Sequence, residues 1–170
     1  MIPEYKLYHG AVLAELVDEL TIDVKIGELR EDGRLSAYII DSQVGLYIKH
    51  SASRLAPWNF TFTTANAHDL LELRRRCRDV FIVLVCWQDG MVCLELTEVI
   101  DVLRAGASDQ AWIRIDRLKG CSYSVIASGG ELPRKMSKGL GPLLDSIEPS
   151  RGSSANRAMP PTNSTTLSGK

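Results

Sequence analysis

Residues 81–87, FIVLVCW, form an unbroken apolar run between Asp79 and the turn residues Gln88-Asp89-Gly90. A run of that length is short for a buried helix. Built as a strand, it points apolar side chains to both faces of a sheet. Only a central strand with cover on both faces can hold it. The turn at 88–90 then returns the chain along residues 91–96 as a hairpin. Together with the helical periodicities elsewhere, this predicts an α/β (α+β) fold built on a mixed sheet.

Upstream, Leu13, Leu16, Val17 and Leu20 recur at helical spacing over 10–20, and this predicts an amphipathic helix. Alternation takes over at 21–27, where Ile22, Val24 and Ile26 mark one face of a strand. Glu31-Asp32-Gly33 is a turn, and strands follow at 35–40 and 44–49, joined by Asp41-Ser42-Gln43. A short strand at 58–63 alternates Trp58, Phe60 and Phe62 with polar residues. Asn66 is expected to cap the next helix, with Asp69 in its first turn, Leu70, Leu73 and Cys77 as its buried stripe and four arginines near its end. After the hairpin, a helix capped by Thr97 is expected to run to Arg104 and stop at Gly106, followed by strands at 111–116 and 122–127. The expected organisation is one globular domain over 1–145 and a disordered Ser/Pro-rich tail over 146–170.

The formal net charge of −1 argues against a general nucleic-acid coat. The charge is uneven, however: acids predominate before residue 34, while bases gather at 49–54, 74–78, 114–119 and 134–138. The N-terminus has no apolar signal segment and no run is long enough to span a bilayer, so the expected location is cytoplasmic, without membrane contact. Four cysteines without a CxxC pair predict reduced thiols, and the three histidines have no metal-ligand spacing. No metal or other cofactor is expected on these grounds.

The order helix, three strands, helix, strand over roughly residues 9–87 resembles the αβββαβ core of the PD-(D/E)XK, or restriction-endonuclease-like, superfamily. The opening helix HGAVLAELVDEL is similar to the first helix of its Holliday-junction-resolvase branch. The phrases GLYIKHS and RLAPWNFTF also resemble segments of small bacterial proteins, a likeness that implies no activity. The superfamily resemblance implies an acid near the second strand and an acid-x-Lys on the third, holding Mg and positioning water. Carried over, Lys49 matches the lysine, Asp41 is the nearest candidate for the first acid, and Glu15 is a candidate for the helix glutamate. The acid of the acid-x-Lys pair falls on Tyr47, which does not suit a hard cation.

Each of these residues also has a plainer role. Asp41 suits a turn, Glu15 a solvated helix face, Lys49 an edge charge and Trp58 after Pro57 a core anchor. Lys49, His50, Ser51, Arg54 and Arg75 together form the expected phosphate-binding face. The expected function is a non-catalytic, nuclease-like module that binds nucleic acid or a protein of a nucleic-acid-processing system. Two alternatives stand beside it. One is a protein-interaction subunit that uses hairpin edges and the LPRKMSKG segment. The other is a divergent Mg-dependent nuclease with Asp41 and Lys49 in catalysis.

Overall fold

In the structure, a computed structural model describing residues 1–31, 33–104 and 110–149, the apolar run lies inside the sheet it requires. β5 (Asp79–Cys86) pairs in parallel with β3 (Val44–Ser51) and antiparallel with β6 (Gly90–Glu95). Beyond β3 follow β2 (Arg34–Ile40) and β1 (Ile26–Glu31), both antiparallel to their neighbours, giving the order β1-β2-β3-β5-β6. Val80, Ile82, Leu84 and Cys86 of β5 enter one hydrophobic cluster, while Phe81, Val83 and Val85 enter the other. Trp87 leaves the strand with a left-handed φ of 48° and opens the turn into β6.

One face of this sheet is covered by α1 (Glu4–Glu19) and α4 (Gly141–Ile147), through Val12, Leu16, Leu140, Leu143 and Leu144. The other face is covered by α2 (Thr64–Arg76), by α3 (Leu96–Arg104) and by a second, antiparallel sheet. That sheet has the order β4-β7-β8-β9, from β4 (Trp58–Phe62), β7 (Ala111–Asp116), β8 (Ser124–Ala127) and β9 (Gly130–Glu131). Four strands separate α1 from α2; the first three lie in the five-stranded sheet, and α2 lies on the crossover between parallel β3 and β5. The strand expected at 58–63 belongs to the second sheet. Its alternation of buried Trp58, Phe60 and Phe62 with exposed Asn59 and Thr61 suits a sheet with one dry face.

Several boundaries differ from the sequence reading for identifiable reasons. α1 begins at Glu4, six residues early, because Tyr5, Tyr8 and His9 extend the helical stripe back toward Pro3. Its buried residues are Val12 and Leu16, and Val17 faces solvent. The strand expected at 21–27 starts only at Ile26. Before it, side chains hold the chain instead of a ladder: Thr21 binds Glu148, and the Lys25 amide donates to Asp41 Oδ1 at 2.7 Å. Thr63, not Asn66, caps α2; Asn66 is the third helical residue and completes the capping box. Thr97 lies inside α3, and the stop expected at Gly106 falls outside the described residues. α4 carries the ordered chain to Ile147, and buried Glu148 follows it. From residue 150, the tail expected over 146–170 also lies outside the described residues.

The segment LPRKMSKG is tied to the fold while Pro133, Lys135, Ser137 and Lys138 stay exposed. Met136 is buried, its backbone exchanges hydrogen bonds with Tyr123, and Arg134 is paired with Glu98. Cys77, Cys86 and Cys93 are buried thiols, whereas Cys121 is exposed. Among the described residues, no helix is long and apolar enough to cross a membrane.

Candidate functional site

The ladder between β2 and β3 runs only from Ile40↔Val44 to Tyr38↔Leu46. Beyond that pair β2 continues back to Arg34, paired with β1, and β3 continues to Ser51, paired with β5. The two strands thus part like a fork. A cavity of about 550 Å³ occupies the gap, lined by Arg30, Gly33, Arg34 and Leu35 on one prong and by residues 47–50 on the other. Tyr5 and His9 of α1 wall one face, and Asn66 of α2 walls the other.

A bulge aims the first cation. Leu29 and Arg30 are adjacent on β1 but oppose Ala37 and Leu35, leaving residue 36 as the extra one. The alternation of β2 therefore reverses: Ala37 joins the cluster under α2, while Leu35 packs toward α1. Arg34 falls on the α2 side and grips Asp69, with Nη2 at 3.1 and 3.2 Å and Nη1 at 3.3 Å from the carboxylate oxygens. Asp69 is 1% exposed, so its charge depends on that fork of donors. Arg30 sits at the hairpin tip, held by Glu28 and by the carbonyl of Gly33, whose φ of 76° forms the turn.

Lys49 supplies the next cation. Its Nζ donates to Asn66 Oδ1 at 2.9 Å and stands 5.0 Å from the Phe62 ring centre. The same Asn66 oxygen accepts the Thr63 amide at 3.1 Å, so the start of α2 and the lysine share one acceptor. Burial lowers the Lys49 pKa, while nearby Asp69 raises it. Tyr47 is buried on the same face; desolvation, and then Asp69, push its phenol above the usual range.

His50 projects to the opposite face and stacks on Tyr8, rings 4.2 Å apart and 11° from parallel. His9 Nδ1 lies 3.1 Å from the Tyr38 hydroxyl, and Tyr5 meets the His9 ring edge-on. Burial lowers the pKa of both histidines. The charge of His50 depresses His9 further; for His50, Glu4 pulls upward and Lys49 downward.

The structure does not gather the expected site residues into one face. Lys49 and His50 line the same cavity from opposite sides of the sheet. Ser51 ends β3 and accepts the Ser53 amide, and Arg54 stands over Trp87 at 5.7 Å; neither lines the cavity. Arg75 is 78% exposed and pairs with Glu72. It lies nine residues along α2 from Asn66, about 13 Å at helical rise. Asp41 sits in the β2–β3 turn with φ 49°, bonded to Lys25, at the other end of β3 from Lys49. Val44 to Lys49 alone spans about 17 Å of extended chain, so Asp41 and Lys49 do not form one centre. Glu15 is exposed further along α1.

The carboxylate whose charge acts on the lysine is instead Asp69, which sequence reading treated as a first-turn acid. Its signal was its place one residue before buried Leu70, on the inner side of α2. Arg34 was missed because the bulge that aims it leaves no trace in residue type. The resemblance-derived metal does not fit these residues: Tyr47 fills the acid position, and Asp69 is enclosed by Arg34. Among the described residues, no cluster of three or more His, Cys, Asp or Glu is placed to hold a metal ion. Compared with family models, curated proteins and solved structures, the chain matches none.

Proposed function

We propose that this chain is a nucleic-acid-binding module of nuclease-like design that receives phosphate in the β2–β3 fork without cutting. The observation that carries the reading is the composition of the fork. Arg30, Arg34, Lys49 and two histidines converge on a cavity that no carboxylate lines among the described residues. Glu28 offsets Arg30 and Asp69 is engaged directly by Arg34, whereas the direct contacts of Lys49 are a neutral amide and a ring, with Asp69 acting on it from nearby. Lys49 is therefore the cation best placed to pair with phosphate, as a point charge. Cleavage would need convergent carboxylates for a hard cation, and Tyr47 stands where the resemblance calls for one.

The test pairs binding with cleavage on single-stranded, duplex and branched substrates, with magnesium or manganese present. Binding that weakens with salt and falls in Lys49→Gln, with substrates intact, supports the reading. Metal-dependent cutting would overturn its non-catalytic half. Absence of binding to every substrate would shift the weight to a protein partner.

A further inference from the structure

The fork is a dead end. The Tyr38↔Leu46 pair closes its floor, α1 covers one face of the gap and α2 covers the other. A strand passing through a groove needs two exits, whereas the pairing of β2 with β3 shuts this gap at its inner end. Its volume of about 550 Å³ lies within the range of roughly 300–1,000 Å³ that takes one small ligand, room for about one nucleotide.

We infer that the fork takes the phosphorylated end of a nucleic-acid strand, the terminal phosphate at Lys49 and the first base against Tyr5. This inference rests on the nucleic-acid reading above and narrows it. A terminal phosphate monoester carries about −1.5 to −2 charge at pH 7, more than the single charge of an internal diester, and has three acceptor oxygens. Lys49 has donors beyond the one given to Asn66, and the Arg34 side chain is 54% exposed although it holds Asp69. His9 and His50 stand across the gap as the next donors, and a dianion favours their protonated forms. Tyr5, which lines the cavity, is 38% exposed and edge-on to His9, so it offers a ring face to a base.

Few phosphates are engaged in such a mode. With about one to three phosphates neutralised, the logarithm of affinity should fall with the logarithm of salt at a slope of roughly −1 to −2, much shallower than for a tracked backbone.

The experiment uses the full chain and fluorescent single strands of one sequence in four forms: 5′-phosphorylated, 3′-phosphorylated, hydroxyl at both ends, and circular. A nucleoside monophosphate serves as competitor. One phosphorylated end should bind roughly tenfold or more tighter than the hydroxyl strand, the worth of one charge-assisted contact. The circle should match the hydroxyl strand. Lys49→Gln should remove the preference for phosphate, and Tyr5→Ala should weaken strand binding while the preference for phosphate persists. Circular dichroism of both variants checks that the fold is retained.

Equal binding of circle and phosphorylated ends overturns the end assignment and leaves the nucleic-acid reading standing. Binding of none of the four overturns both. A free monophosphate that binds more tightly than the phosphorylated strand assigns the cavity to a free nucleotide and overturns the strand-end proposal.

Discussion

Asp69 is the residue on which the cavity's electrostatics turn. A carboxylate 1% exposed must be satisfied, and three contacts within 3.3 Å come from the single guanidinium of Arg34. Arg34→Ala should cost about 1–3 kcal/mol, the penalty for a buried acceptor left unsatisfied, discounted because the arginine itself is half in solvent. In an Asp69→Asn background the same substitution should cost much less, and a double-mutant cycle by urea denaturation reads the coupling. The histidines set a pH dependence. Burial holds both below the ordinary value of 6.5, so the unfolded chain binds the extra protons first. Stability should be full above about pH 6.5 and decline as pH falls below it. Phosphate in the cavity should oppose that decline, because an anion favours the charged imidazoles. Thermal melts of the parent and of His9→Gln with His50→Gln, from pH 7.5 to 5, check both signs.

Among the elements, β3 is packed closely under α2, and Gly45 shows why a side chain is missing there. A Cβ at that position would lie 3.0 Å from Leu73 Cδ2, 3.3 Å from Val80 Cγ2 and 3.4 Å from Cys77 Sγ. Gly45→Ala should destabilise by about 1–2 kcal/mol after the entropy gained in the unfolded chain is counted, and it should lower the melting temperature by several degrees. Periodicity revealed the strands well, since β5, β6 and β7 each carry an apolar pattern that one sheet position alone can satisfy. It revealed less where side chains replace the ladder, as at 21–25, or where an extra residue reverses the alternation, as at 36. The Lys49 position was legible as a charge at a strand end. Its partner Asn66 and the acid Asp69 were not, because contacts across a crossover helix leave no spacing in the chain.

For the whole molecule, two hydrophobic layers sandwich one sheet, and the C-terminal helix belongs to one of them. Leu143 and Leu144 are buried, and Glu148 accepts both the amide and the hydroxyl of Thr21. Ordered contacts thus extend a few residues past the boundary that composition indicated near 145. A chain truncated after residue 149 should melt like the full chain, whereas one truncated after 145 should melt several degrees lower. Calorimetry of the two truncations decides the matter, and equal melting would show that the Glu148 contact is dispensable.

The bulge at residue 36 carries one more consequence. Removing that residue would straighten the ladder with β1 and leave Leu35 and Arg34 on the sides they now occupy, whereas taking it into the ladder would rotate everything between it and the hairpin tip to the other side. Arg34 would then point toward α1, stranding Asp69 and bringing its cation to the histidines. Which side of the sheet bears the arginine is thus decided by whether residue 36 stands inside the ladder or outside it, a matter of register. In this stretch of chain, a one-step slip in pairing would do more than most exchanges of one amino acid for another.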